Sequence, residues 1–276
     1  MNGTTNFVLG RMEAGAEYAD ALAEAQRLGY AEADPTEDVG GLDAAAKVAI
    51  LATVAFGTRV TPADVVTEGI EAVTAADVAT ARALGFVVKL VGQATLLDGR
   101  FDVRVGPVLV DRAHPLAAVG GAFNAVMLQG DAIREITLEG PGAGGSETAS
   151  AVVADMVSVI GTSGTGFLQN DACWRELERL EPGALPSPHY LRLEVADRTG
   201  VLALVAQTLS DHGVSVARLV QDPAEAGAVL HVITHEAPEG AVDAALRELD
   251  ALAETRGRLR ALRVVSDRGV EGLGWA

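Results

Sequence analysis

Apolar residues recur at helical spacing through the first 85 positions and at strand spacing for some way beyond them. After a polar Asn2-Gly3-Thr4-Thr5-Asn6 turn, residues 7–28 read as one helix, with Leu22, Ala25 and Gln26 on successive turns and Gly29 as a stop. A polar loop follows, and the apolar run from Ala44 to Phe56 predicts a second helix beginning at Asp43. Thr61-Pro62-Ala63-Asp64 reads as a helix start, with Thr61 as cap and Pro62 at the first position. Thr74-Ala75-Ala76-Asp77 is a capping box with Asp in place of Glu, leading a helix to Gly85. Strands are predicted at 86–93, 94–97, 102–109 and 133–138, with Asp98-Gly99 as a hairpin turn. A short helix and one more strand should lie between His114 and Gln129. Residues 146–161 read as a helix, 162–166 as flexible and 171–180 as a last short helix. Helices first and strands after predict an α+β domain over residues 1–180, a mixed sheet with helices on one face.

Residues 181–189, Glu-Pro-Gly-Ala-Leu-Pro-Ser-Pro-His, are rich in proline and glycine and read as a linker. In the tail, 190–276, Leu191, Leu193 and Val195 alternate with Arg192 and Glu194, as in a half-buried strand. Asp197-Arg198-Thr199-Gly200 then turns into a helix with Val201, Leu204, Val205 and Leu209 on one stripe. Strands at 214–221 and 228–235, a helix at 238–254 and a strand at 260–265 complete the order βαββαβ, which is ferredoxin-like.

Composition narrows the function. A hydrophobic content of 49% with 31 Gly and 10 Pro describes a globular chain of two domains. A net charge of −17, spread along the sequence, argues against nucleic-acid and anionic-membrane partners. The one cysteine, Cys173, excludes an internal disulfide and a cysteine-cluster metal site. Of the five histidines, His231 and His235 fall in a predicted strand, where i and i+4 lie roughly 13 Å apart, so no metal is expected. Neither a signal-peptide pattern nor an apolar run of about 18–20 residues is visible, so a cytoplasmic protein without membrane spans is expected.

The chemistry concentrates in Gly29–Lys47, GYAEADPTEDVGGLDAAAK. It holds Glu32, Asp34, Glu37, Asp38 and Asp43, and ends in one of only two lysines, Lys47 and Lys89. Arg stays protonated, whereas Lys can give and take a proton. Asp43 and Lys47 are i and i+4 on one helix face, with Asp43 at the positive helix N-terminus. The plainer reading is a surface loop with an ordinary ion pair worth roughly 0.3–0.5 kcal/mol. Asp34 and Asp38 read as loop-shaping residues through Asx-type bonds. A second motif, Gly140-Pro141-Gly142-Ala143-Gly144-Gly145, satisfies G-x-G-x-x-G between a predicted strand and a helix. No acidic residue follows about 20 positions on, and no βαβ unit continues from it, so it is not read as an independent dinucleotide fingerprint. Tight strand-to-helix packing is an alternative reason for its glycines.

The loop resembles the signature of homoserine dehydrogenases, G-Y-x-E-x-D-P-x-x-D-x-x-G-x-D-x-x-x-K, at every fixed position. The Asn2–Asn6 turn and the stretch Tyr18–Gln26 also match that family, and the resemblance runs from residue 2 to about 160. It implies reversible oxidation of L-homoserine to L-aspartate 4-semialdehyde with NADP or NAD, in the shared route to threonine, methionine and isoleucine. By motif position it implies Lys47 as proton shuttle and Glu32, Asp43 and the Gly29 backbone as the amino-acid site. It also implies an approach of Gly144 to the nicotinamide end. Family members begin with a dinucleotide-binding domain. This chain is expected to lack it, and with it a second substrate-side lysine and a monovalent-cation site, and so to bind the nucleotide weakly by itself. The tail, with Asp197-Arg198-x-Gly200 after its first strand, resembles an ACT domain. Asp197 and Gly200 are its expected effector residues, threonine the expected effector, and a homo-oligomer the expected assembly. A competing reading is a non-catalytic amino-acid-binding regulatory protein.

Overall fold

The structure is a computed structural model describing residues 1–161, 175–224, 227–257 and 259–266. The chain divides into two compact units, Met1–Pro107 with Pro115–Arg179, and Val108–His114 with Leu180–Ala276.

The first unit opens with two helices where one was expected, α1 (Gly3–Glu13) and α2 (Tyr18–Arg27). Gly15 breaks the run in a left-handed conformation, φ +100°. Asn2 to Asn6 is not a free turn: Asn2 is the N-cap of α1, its side chain accepting from the Thr5 N–H. The acidic loop holds one helical turn, α3 (Thr36–Val39), and leads into α4 (Leu42–Phe56). Thr61 and Asp64 form a capping box, but only a 3₁₀ turn, Pro62–Asp64, follows before the short strand β1 (Val66–Thr67). The Thr74–Asp77 box does start α5 (Ala75–Ala83).

Phe86–Leu97 is one strand, β2, not two. It joins β3 (Arg100–Asp111) through Asp98 and Gly99, both at positive φ as a tight primed hairpin turn requires. β4 (Phe123–Gly130) and β5 (Arg134–Pro141) form a separate antiparallel hairpin that leads to α6 (Gly145–Gly161). Where a helix was expected at 171–180, Glu178–Arg179 instead make a short parallel strand, β6, on Arg100 and Phe101 of β3. Residues 171–174 and 162–166 lie outside the described residues. Val152, Val153, Met156, Val157, Val159 and Ile160 of α6 are all more than half exposed.

One stripe of α4 fixes the site's orientation. Ala44, Ala45, Val48, Ala49 and Ala52 are buried against Phe101, Val103 and Val105 of β3. The helix sits close because Gly92 of β2 lacks a side chain: a Cβ there would lie 3.3 Å from the Val48 Cβ. Alternation along β3 puts Asp102 and Arg104 out of phase with this stripe. They form a bidentate pair, 2.6 and 2.8 Å, with both side chains 3% exposed.

The second unit has β7 (Pro186–Ser187), β8 (His189–Val195), α7 (Val201–Asp211), β9 (Val216–Ala224), β10 (Gly227–Thr234), β11 (Ala237–Pro238), α8 (Glu239–Asp250) and β12 (Arg260–Val265). The order β12-β8-β10-β9, antiparallel at every step, is the ferredoxin-like arrangement expected from the pattern. Leu191, Leu193, Leu230 and Val232 pack with Val205, Leu209, Val242 and Leu249 of the two helices. The sheet gains an edge that the sequence pattern did not announce: Val108–Val110 run parallel to Arg263–Val265. Away from the helices, Tyr190 Oη lies 2.9 Å from His231 Nδ1, and burial holds His231 below its ordinary pKa although Asp222 favours its proton.

Removing the carboxylate of a buried, hydrogen-bonded ion pair takes both of these bonds from the surviving guanidinium. Asp102→Ala should therefore lower the unfolding free energy by about 3–5 kcal/mol in urea titration, whereas a comparable cut at the exposed Arg11–Glu24 pair should cost at most about 1 kcal/mol.

Candidate functional site

The acidic loop is tied down at several points before it reaches α4. Asp34 forms an Asx turn, its Oδ1 accepting from the Thr36 N–H at 3.1 Å and from the Thr36 hydroxyl at 2.6 Å. The Val39 carbonyl accepts from Ile70 N–H at 2.8 Å, which ties α3 to the segment after β1. Gly41 then caps α4 at φ +80°, and a Cβ there would come within 3.2 Å of both Thr67 and Val105. This turn needs glycine for its backbone conformation and for its close approach to the strand.

With α4 held by its buried stripe, Asp43 and Lys47 emerge on one flank. Lys47 Nζ is 2.7 Å from Asp43 Oδ2 and 3.2 Å from the Met1 carbonyl. Lys47 is 47% and Asp43 31% exposed, so both can meet a ligand from solvent. The exposed pair adds only about 0.3–0.5 kcal/mol to stability, against roughly 1.5–3 kcal/mol for each buried valine beneath it. Packing orients the helix, and the pair is free to serve chemistry.

Asp38 does not shape the loop by an Asx turn, as its spacing led us to expect. Its Oδ1 accepts from Asn2 Nδ2 at 2.6 Å, and its Oδ2 lies 3.0 Å from the Thr4 hydroxyl, which also reaches the Tyr30 carbonyl at 2.5 Å. Asn2 Nδ2 also lies 2.9 Å from Asp43 Oδ2. The N-terminal turn of α1 is thereby part of the site. Asn2 and Thr4 were missed as site residues, although an Asn three residues before Thr5 carries the N-cap signal.

Among the described residues no hydrogen bond joins the other expected residues to this network. Gly29 follows α2 at φ +79°, exposed, its N–H already donating to the Gln26 carbonyl at 3.1 Å. Glu32 is exposed; its carbonyl accepts from Gln26 Nε2 at 3.1 Å, and its carboxylate makes no hydrogen bond or ion pair among the described residues. Gly144 lies between β5 and α6 at φ +144°, with the Glu147 carboxylate 2.1 Å from where a Cβ would stand. Glu147 lies in the first turn of that helix, and β5 pairs antiparallel with β4 rather than entering a βαβ unit. In the second unit, Gly200 caps α7 at φ +94°, and Asp197 Oδ1 accepts weakly from Gln221 Nε2 at 3.4 Å. The intervening Arg198 pairs with Glu254. Among the described residues no group of three or more His, Cys, Asp or Glu could hold a metal ion, and no helix is long and apolar enough to cross a membrane.

The chain thus joins an α+β domain that presents a lysine–carboxylate pair beside an acidic loop to a ferredoxin-like unit. The homoserine dehydrogenase family profile matches residues 1–157, and that of the ACT domain matches residues 189–254. The chain is 43% identical over 281 residues to the homoserine dehydrogenase of Mycobacterium tuberculosis, covering 96% of this chain and 63% of that protein. It is 37% identical to that of Bacillus subtilis, covering 100% and 64%. A crystal structure of a homoserine dehydrogenase from Thiobacillus denitrificans superposes with a TM-score of 0.89 at 38% identity, covering 96% of this chain and 62% of that one. This chain belongs to the homoserine dehydrogenase family and carries a C-terminal ACT domain. It spans less than two-thirds of the length of these relatives.

The second lysine braces the same region. Lys89 Nζ donates to Asn6 Oδ1 at 2.7 Å and to the Val119 carbonyl at 2.5 Å, while Asn6 Nδ2 reaches the Val119, Gly121 and Phe123 carbonyls. Burial lowers the Lys89 pKa below its usual 10.5, against the opposing pull of Glu13 and Glu139. Below that folded-state value the burial penalty on the charged form is fully present. It is relieved as pH rises toward 10.5, because the unfolded chain then binds more protons. With only two lysines to resolve, ¹⁵N NMR of the Nζ groups should place the Lys89 midpoint below 10.5, and Lys89→Met should flatten the alkaline rise in stability.

Proposed function

We propose that this chain is the substrate-binding and regulatory portion of a homoserine dehydrogenase, interconverting L-homoserine and L-aspartate 4-semialdehyde. Residues 1–180 carry the substrate and catalytic part, 181–189 the linker and 190–276 the ACT regulatory part. One observation carries the reading: Asp43 and Lys47 pair at 2.7 Å, half-exposed, on the residues that match the family signature. NADP or NAD supplies the hydride chemistry when bound. The exposed backbone at Gly144 is assigned to its nicotinamide end.

The roles of this chain's own residues follow from their positions. Lys47 Nζ takes the hydroxyl proton of homoserine during oxidation and returns it to the aldehyde oxygen during reduction. Lys47 enters oxidation as the neutral amine, and Asp43 holds the ammonium that forms when the hydroxyl proton arrives. Glu32, exposed and unpaired, takes the substrate amino group, and the Gly29 backbone takes part in the same site. Threonine is the effector we assign to Asp197 and Gly200. The apolar surface of α6, and Phe123, Ile136 and Leu138 on the β4–β5 hairpin, are the faces a homo-oligomer would cover. A cytoplasmic location accords with this biosynthetic role.

Turnover is to be measured spectrophotometrically with NADPH or NADH, for the 276-residue chain and for the chain fused behind the N-terminal third of a relative. Lys47→Ala in the active form should lower kcat about 10²–10⁴-fold while leaving nucleotide affinity near that of the parent; equal loss of both would remove Lys47 from the proton path. Millimolar threonine should raise the melting temperature of the chain, and Asp197→Ala should abolish the rise. An unchanged melting temperature in the parent would make the tail structural.

A further inference from the structure

The two ends of the Asn2 side chain perform different tasks. Oδ1 accepts from the Thr5 N–H at 2.8 Å and so caps α1. Capping needs only an oxygen, which Ser, Thr or Asp would also provide. Nδ2 has two hydrogens, and each faces a carboxylate: Asp38 Oδ1 at 2.6 Å and Asp43 Oδ2 at 2.9 Å. Asn2 is 7% exposed, so water does not readily replace it. The Asp43 oxygen it holds is the one that Lys47 Nζ also contacts. Two carboxylates that share one donor are drawn together, and without it their like charges push apart.

We propose that Asn2 is a positioning residue: its amide clamps Asp38 of α3 beside Asp43 of α4 and fixes the Asp43 carboxylate in the rotamer that faces Lys47 and the substrate hydroxyl. This deepens the homoserine reading and rests on it for the identity of the substrate. The charged groups at the amide are Asp38 and Asp43, with Lys47 on the same Asp43 oxygen. The clamp joins three separate stretches of chain, α1, α3 and α4, at one nitrogen.

Asn2→Asp separates the two tasks. It keeps the shape and the capping oxygen, and replaces the donor with a third carboxylate facing two others. The 276-residue chain is to be melted between pH 5 and pH 8, with L-homoserine affinity measured by calorimetry over the same range. Towards pH 5 the new carboxyl gains a proton and can donate to one of the two carboxylates, so Asn2→Asp should melt closer to the parent than at higher pH. At pH 8 it should melt several degrees lower and bind homoserine about tenfold more weakly, a loss reversed on acidification. Asn2→Ser, which keeps a cap but cannot reach both carboxylates, should lose affinity without acquiring that pH dependence. Asn2→Asp with the parent's melting profile across the range would reduce Asn2 to a helix cap and overturn the proposal. A parent chain that binds no homoserine would instead overturn the substrate assignment, and the melting profile would still decide the role of Asn2.

Discussion

The close seating of one alanine-rich helix on a two-stranded ribbon is the constraint behind the rest of the site. α4 presents Ala44, Ala45, Val48, Ala49 and Ala52 to β3, and Gly92 of β2 removes the side chain that would hold the helix away. Small residues bring the backbone near, and burial then leaves a single orientation for the helix about its axis. Asp43 and Lys47 flank that buried stripe, so their direction is set by packing that neither takes part in. The ion pair between them is too exposed and too weak to orient a helix by itself.

Around this helix the loop is organised by bonds from distant segments. Gly41 fits beneath Thr67 and Val105, Val39 accepts from Ile70, and Asp38 is held by Asn2 and Thr4. Lys89 and Asn6 repeat the same device, joining α1 to β2 and to the carbonyls at 119–123. The first turn of α1 is therefore a structural hub. It caps a helix, gathers two carboxylates and anchors a loop, all within five residues. Such density of buried polar bonds specifies one geometry, because each unsatisfied partner would carry its own desolvation cost.

The ACT domain follows a different logic. Its sheet and two helices enclose an apolar core of leucine and valine, and its order of strands is the one that alternating hydrophobicity implies. The strand Val108–Val110, contributed from far earlier in the chain, extends that sheet at β12 and covers what would otherwise be an open edge. The Asp197–Gly200 loop stays at the surface, with Gly200 starting α7 and Asp197 lightly held.

Local chemistry made much of this legible from residues alone. The Asp98-Gly99 turn, the Thr74–Asp77 box, the helix from Asp43 and the βαββαβ tail all follow from bonds and steric preferences spanning a few positions. The roles of the lysine and carboxylates in the signature loop came from its resemblance to the family, since their spacing alone also fits an ordinary surface ion pair. Tertiary structure decided what spacing cannot express. It broke the first helix at Gly15, turned 178–179 into a strand, and lent 108–110 to the second unit's sheet. It also drew Asn2 and Asp38, 36 residues apart, into one hydrogen bond. These outcomes depend on which distant donor meets which acceptor once the apolar faces are packed, and no local pattern encodes that meeting.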